Sequence, residues 1–198
     1  MIKRLFDLVI VLPLLLLVSP ILLVIGILIK LNSNGPIFYL QQRVGINGSD
    51  FFIYKFRTMR IGADKLGLLT VGGRDPRVTS VGYFLRKYKL DELPQLINVV
   101  NGTMSLVGPR PEVRKYVDMY NSEQRKVLNA KPGITDYASI EYADENNLLA
   151  ASSDPERTYI DEIMPAKLKL NMKYISEQGV VTDIKIIFST IMRVIRGH

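Results

Sequence analysis

The chain has 198 residues, one histidine and no cysteine. That is enough for one compact domain plus an anchor, and it excludes disulfides, thiolate metal sites and cysteine nucleophiles. The single histidine is His198 at the chain end, a poor place for a general base, so Asp, Glu, Lys, Arg, Ser or Tyr must carry any chemistry. The net charge of +7 is concentrated: nine Lys/Arg against two Asp lie between Lys55 and Leu90, an excess that equals the whole. Such a stretch attracts phosphates or anionic headgroups, although an ordinary solvated surface has the same composition.

In chain order, Leu8–Ile29 carries no charged residue and could span ~30 Å of hydrocarbon as a straight helix. No small-residue cleavage site follows it, so a cleaved signal is not expected. Pro20 lacks an N–H and predicts a kink, and the Ser19 hydroxyl can satisfy a carbonyl that the kink frees. The arms Leu5–Val18 and Ile21–Leu31 would each reach only ~16–21 Å. Lys3 and Arg4 before the run and Lys30 after it place cations at both ends. The expectation is a re-entrant helix-break-helix anchor over 1–33, broken at Ser19-Pro20, with a kinked span as the alternative and Pro13 as a second possible kink. Asn32-Ser33-Asn34-Gly35-Pro36 then marks the boundary with a domain over 34–198.

Ile37–Val44 and Phe51–Thr58 read as strands joined by a hairpin loop at Gly45–Asp50. Ile61–Arg77, with Gly62, Gly67, Gly72-Gly73 and Asp75-Pro76, reads as a loop. A helix is predicted from Thr79 to about Tyr88, and another from Asp91 to Asn101-Gly102, with Pro94 in its first turn. Tyr116–Asn129 reads as a polar helix, Lys131-Pro132-Gly133 as a turn, and Ala138–Asn147 as irregular and acidic. Asp154-Pro155 starts a further helix, and Pro165 begins or kinks the one through Ser176. Asp183–Arg196 is apolar with Lys185, Arg193 and Arg196 interleaved, which suits a membrane interface or a core-facing helix equally.

Three places carry candidate chemistry. Asp91 and Glu92 point about 100° apart on a helix, so they can take different roles. A helix N-terminus would favour the ionised carboxylate, and ionised Asp is a nucleophile toward phosphorus. The same residues would equally serve as an N-cap and a first-turn carboxylate. In Tyr54-Lys55-Phe56-Arg57, strand alternation puts both cations on one face, as a phosphate contact or as the basic outer face of a half-buried strand. Arg110 lies between Pro109 and Pro111, which stiffen the backbone and could aim its guanidinium at a diphosphate or simply build a surface loop. A divalent cation held by carboxylate and phosphate oxygens would complete such a site.

These segments together resemble the small monotopic bacterial polyprenyl-phosphate phosphoglycosyl transferases, the initiating sugar transferases. The matching pieces are an N-terminal Arg-x-x-Asp running into the apolar stretch with Ser19-Pro20, Gly35-Pro36-Ile37-Phe38, Gln42-Arg43-Val44-Gly45, Tyr54-Lys55-Phe56-Arg57-Thr58-Met59, Leu90-Asp91-Glu92-Leu93-Pro94-Gln95-Leu96, Ser105-Leu106-Val107-Gly108-Pro109-Arg110-Pro111-Glu112 and Lys131-Pro132-Gly133-Ile134-Thr135. The resemblance implies an α+β, mostly helical fold: a small β-hairpin or sheet with surrounding helices, an N-terminal re-entrant membrane helix and interfacial amphipathic helices, including one at about 183–196. It implies Mg²⁺-dependent transfer of a sugar 1-phosphate from a UDP-sugar to undecaprenyl phosphate, with UMP released, as the first membrane step of a surface glycan. It implies Asp91 as nucleophile and Mg²⁺ ligand, Glu92 as assisting base, and Lys55, Arg57, Arg86 and Arg110 as phosphate contacts. Arg86 rests on its spacing alone, five residues before Asp91. The implied location is the cytoplasmic face of the bacterial inner membrane, with a homodimer or downstream glycosyltransferases as possible partners and no nucleic acid. A non-catalytic, membrane-bound partner in a glycan assembly complex is the alternative. Asp136–Asn146 departs from the family's Gly-Leu-Ala and Asn-Gly-Arg-like pattern, which leaves the sugar unassigned.

Overall fold

The computed structural model describes residues 2–63 and 75–196. Lys65, Arg74 and the glycine turns at Gly67, Gly72 and Gly73 lie outside the described residues, as does His198. The fold is α+β and mostly helical, as the sequence predicts.

The first helix, α1 (Ile2–Asn32), is continuous through Pro13 and Pro20, so the expected helix break at Ser19-Pro20 is not seen. The reason is local. Pro20 leaves the Leu16 carbonyl without its helical donor, and the Ser19 hydroxyl donates to that carbonyl at 2.8 Å. The covered positions Asp7, Val11, Leu15, Val18, Leu22, Ile25 and Ile29 recur every three or four residues, one stripe of a single helix. The opposite face exposes Leu5, Leu16, Leu17, Leu23 and Leu31.

Both ends of α1 are fastened to the rest of the fold. Near the start, Lys3 donates to Asp183 at 2.6 Å, and Arg4 donates to the Val99 and Val100 carbonyls. Asp7 is buried and accepts from the Ser105 hydroxyl at 2.8 Å and the Leu106 N–H at 3.2 Å. The Arg-x-x-Asp spacing therefore serves two backbone segments distant in sequence. Near the end, Ile25 and Ile29 pack with Phe56 and Leu85, and the Asn32 amide donates to Ser80 at 2.9 Å.

Strands β1 (Phe38–Val44) and β2 (Asp50–Phe56) form the predicted antiparallel hairpin, with Phe38 opposite Phe56 and Val44 opposite Asp50. The hairpin ends two residues before the predicted limit, which matters for Arg57. Helix α2 (Ser80–Lys87) is capped by Thr79, whose hydroxyl accepts from the Gly82 N–H. Helix α3 (Gln95–Asn101) ends at Gly102, in the left-handed region at φ 81°. It starts four residues later than predicted, because Leu90–Glu92 forms a separate 3-10 turn.

Strand β3 (Ser105–Val107) pairs in parallel with β4 (Gly133–Thr135), a pairing absent from the sequence reading. It depends on close backbone contact. A Cβ at Gly133 would lie 2.1 Å from the Gly108 nitrogen, and one at Gly108 would lie 2.4 Å from the Lys131 carbonyl oxygen. The predicted polar helix over Tyr116–Asn129 is instead the short α4 (Arg114–Val117) and a 3-10 turn at Gln124–Asn129. Tyr116, Val117, Tyr120 and Val127 all turn inward, so the segment wraps the core rather than standing off it. The segment expected to be irregular forms α5 (Tyr137–Glu141), capped by Asp136, and α6 (Glu145–Ala150). Helix α7 (Pro155–Thr158) is capped by Asp154 and leads through a π-turn into α8 (Met164–Glu177), with Pro165 in its first turn.

Helix α9 (Val180–Arg196) turns Asp183 and Ile186 inward, while Ile184, Phe188, Ile191 and Ile195 are exposed at i, i+4, i+7 and i+11. The core-facing and interfacial readings of this helix thus describe its two faces. One core cluster sits under α4, α6 and α8. A second joins α1, β2, α3, β3 and α9, so the N-terminal helix belongs to the same core as the strand edge that carries the site.

Asp7→Ala removes the acceptor for two buried donors, and the expected cost is about 2 kcal/mol. A thermal melt in detergent should show a lower midpoint; an unchanged one would mean that Asp7 does not fasten α1 to β3.

Candidate active site

Three segments meet around one acidic turn. Lys55 comes from the end of β2, Asp91 and Glu92 from the 3-10 turn before α3, and Arg110 from the chain leaving β3. Lys89, at φ 54°, is a left-handed non-glycine residue that reverses the chain into this turn. The β3–β4 crossing fixes Arg110: the Gly108 N–H donates to the Thr135 carbonyl and the Gly133 N–H to the Pro109 carbonyl, both at 3.0 Å.

The two carboxylates live differently. Glu92 accepts from Lys55 Nζ at 3.0 Å and from both Arg110 terminal nitrogens, one of them at 3.0 Å. Burial would push its carboxyl up, but the charges and hydrogen bonds of Arg110 and Lys55 prevail and hold it well below the usual carboxylate range. Asp91 is 8% exposed and makes no hydrogen bond or ion pair among the described residues. Burial first, and then the Glu92 charge, push its carboxyl up, against the weaker pull of Lys55, Arg86 and Lys89. The helix-end environment expected to favour its ionised form is therefore outweighed. Lys55 is pushed down by burial, and Arg110 is pushed up chiefly by the Glu92 charge. Adjacent carboxylates driven in opposite directions are a recurrent sign of divided acid–base roles.

Asp91 and Glu92 line a cavity of about 400 Å³. Six cations face it, Lys55, Arg86, Lys89, Arg110, Lys167 and Arg193, against the carboxylates Asp91, Glu92 and Glu145. That imbalance suits a ligand with several negative charges. Of the predicted phosphate contacts, Lys55, Arg86 and Arg110 are here; Arg86 also donates to the Thr58 hydroxyl at 2.9 Å. Arg57 is not. It is buried and donates to the Ser33 carbonyl at 2.7 Å, the Ser33 hydroxyl at 3.0 Å and the Asn34 carbonyl. Because β2 ends at Phe56, alternation no longer governs Arg57, which clamps the junction between α1 and β1.

The sequence alone does not single out Lys89, Lys167 and Arg193 as site residues. Lys89 sits two positions before Asp91, and Arg193 is a cation within an otherwise apolar helix; those are the available signals. Lys167, paired with Glu145 at 2.7 Å, offers none.

No group of three or more potential metal-ligating side chains occurs among the described residues. The donor set fits a hard cation shared with a substrate: Asp91 is the uncommitted carboxylate, and phosphate oxygens and water would supply the rest, as is usual for Mg²⁺. Glu92 already accepts three hydrogen bonds from Lys55 and Arg110.

The chain matches the family described as "Bacterial sugar transferase" over residues 1–197. It is 37% identical over 201 residues to UDP-glucose:undecaprenyl-phosphate glucose-1-phosphate transferase of Escherichia coli (strain K12), covering 98% of this chain and 40% of that one. It is 38% identical over 184 residues to UDP-N-acetylgalactosamine-undecaprenyl-phosphate N-acetylgalactosaminephosphotransferase of Aeromonas hydrophila, covering 90% and 40%. It is 36% identical over 193 residues to the uncharacterized sugar transferase EpsL of Bacillus subtilis (strain 168), covering 98% and 87%. The chain thus spans about two fifths of the length of the first two relatives.

The carboxylates should respond oppositely to neutralisation. The pKa of Asp91 is raised on folding, so ionising it opposes the fold increasingly as pH rises through the folded value. Glu92 is depressed, so its contribution is present above its ordinary value and lost as pH falls through the folded one. At neutral pH, Asp91→Asn should raise the melting temperature. Glu92→Gln should lower stability by about 3 kcal/mol, because it strips Lys55 and Arg110 of their counter-charge. Melting curves of both variants decide the matter, and a destabilised Asp91→Asn would contradict it.

Proposed function

Because the chain belongs to the bacterial sugar transferase family, we propose that it transfers a sugar 1-phosphate from a UDP-sugar to undecaprenyl phosphate, by way of a phosphosugar ester on Asp91. The observation that carries this reading is the buried Asp91 carboxylate, unpaired among the described residues, beside a locked Glu92, on a cavity with an excess of cations.

In the first half-reaction an Asp91 oxygen attacks the sugar-bearing phosphorus. The phosphoanhydride bond breaks and UMP leaves with the bonding electrons. In the second, an oxygen of the lipid phosphate attacks the same phosphorus, and the Asp91 carboxylate is the leaving group. Lys55, Arg86 and Arg110 hold the phosphoryl oxygens, where fixed cations act most strongly in a water-poor cavity. Mg²⁺ held by Asp91 and substrate oxygens would supply charge neutralisation. Glu92 first positions Lys55 and Arg110. It becomes available to accept a proton from the lipid phosphate once substrate oxygens have taken over those cations.

The proposed location is the cytoplasmic leaflet, where UDP-sugars are found, with α1 lying along that leaflet, its apolar outer face in lipid and its other face on the domain. The fastening of both ends of α1 to one domain supports that topology over a span, as do the exposed apolar faces of α1 and α9.

The test is UMP release by the detergent-solubilised protein, given Mg²⁺, undecaprenyl phosphate and a panel of UDP-sugars. One sugar should release UMP; chelation should stop it, and Asp91→Asn should reduce it about 10³-fold or more. Turnover surviving in that variant would remove Asp91 as nucleophile.

Asp91 must be ionised to attack, so the rate should rise with pH through its elevated pKa. Glu92→Gln removes a like charge and should move that acid limb to lower pH even as the rate falls. A limb that stays in place would show that another group titrates there.

A further inference from the structure

The catalytic cavity continues into a second, smaller chamber of about 190 Å³, and Arg110, Glu145, Asn146 and Lys167 line both. The far wall of this chamber includes Arg43 and Glu112, with Asn171 from α8. Asn171 is 5% exposed, and its amide oxygen has no hydrogen-bond partner among the described residues. A buried amide oxygen left without a donor is costly in a folded protein, and a ligand donor is one remedy. Among the described residues the Arg43 side chain makes one hydrogen bond, to Glu112 at 3.3 Å, which leaves it N–H groups to spare. Glu112 is fixed by that contact, by the Val113 N–H at 2.7 Å and by the Tyr159 hydroxyl. A wall offering unused donors beside an unused acceptor matches groups that both give and take hydrogen bonds, as hydroxyls do.

We propose that this chamber holds the sugar ring of the donor, and keeps it there between the two half-reactions. The inference rests on the transferase reading above. Its stereochemical basis is in-line displacement, in which attacking and leaving oxygens lie on opposite sides of phosphorus. Asp91 attacks from one side and UMP leaves from the other. The lipid phosphate, displacing Asp91 in its turn, must enter from the side that UMP vacated. Nucleotide and lipid phosphate therefore use one region in succession, and that region has to be open. The sugar alone remains bound throughout, so it needs a place to the side of that line, closed and rich in hydrogen-bonding groups. The larger cavity, lined by Thr190 and Arg193 of the apolar-faced α9, is the shared region; the chamber under α8 is the place to the side. Glu145 and Asn146 guard the passage between them and belong to the segment that departs from the family pattern, which ties sugar choice to the stretch where the sequence diverges.

The test compares donors. Steady-state kinetics of the whole protein with several UDP-sugars should show that Asn171→Leu lowers kcat/KM for the preferred sugar about tenfold. The preference among sugars should shrink, with inhibition by UMP and the KM for undecaprenyl phosphate unchanged. Asn146→Ala, at an exposed position that tolerates substitution, should narrow the preference in the same way if Asn171→Leu folds poorly. Weaker inhibition by UMP with an unaltered sugar preference would place the nucleoside in the chamber and overturn the inference. So would variants indifferent in every constant. A wild-type protein that releases UMP from no donor is a separate result, and removes the reading beneath.

Discussion

The ion triad of Lys55, Glu92 and Arg110 is the interaction on which the site depends. It joins the end of β2, the 3-10 turn and the chain leaving β3, three segments with no local reason to meet. It also sets the chemistry of its neighbour. With Glu92 engaged by two cations, Asp91 is a buried carboxylate that bonds no other described residue, next to a fixed negative charge. Buried ion pairs gain little net stability over an apolar replacement, because desolvation offsets much of their attraction. Their value here is positional. The triad fixes two cations at a defined place beside the Asp91 carboxylate.

The second constraint is that α1 belongs to the fold and not merely to a membrane. Lys3, Arg4 and Asp7 engage α9, α3 and β3 at one end, and Asn32 engages α2 at the other. Arg57 reinforces the exit by binding the Ser33 and Asn34 carbonyls. A helix fixed to one body at both ends favours the proposed placement along one leaflet over a span. Its apolar outer face is covered by lipid only if the domain lies against the surface. The Ser19–Leu16 bond has meaning in that setting, since a carbonyl exposed in hydrocarbon has no water to satisfy it.

Local signals in the sequence are legible, and distant ones are not. The β1–β2 hairpin follows from alternation and a glycine-containing loop, and α2 and α8 from their caps and prolines. Asp91, Glu92, Lys55, Arg86 and Arg110 stand out by residue type and motif, and they do share a cavity. Arg57 is misplaced by the sequence because one residue decides whether strand alternation still applies. The β3–β4 pairing is invisible because each strand has three residues and lies between segments that read as turns. What joins them is a backbone approach at Gly108 and Gly133, which glycine permits but does not announce. The roles of Arg4 and Asp7 are hidden for a related reason: their partners lie more than ninety positions away. Tyr116–Asn129 shows the opposite error, in which a polar surface pattern suggests one helix although its tyrosines are needed in the core.

On the proposed reaction, the triad also accounts for how a base and a nucleophile could sit side by side without exchanging roles. While Lys55 and Arg110 hold Glu92, its carboxyl lies well below the usual range, and the Asp91 carboxyl, raised by burial, is the more basic of the two. A diphosphate entering the cavity competes for the same two cations. Each hydrogen bond it takes from them is withdrawn from Glu92, so binding raises the basicity of Glu92 as it shields Asp91 from repelling its own target. On the proposed reaction the first displacement then consumes the Asp91 charge. Glu92 then meets the lipid phosphate as the free carboxylate of the turn. On that proposal, the order of the two half-reactions follows from which carboxylate the cations hold first.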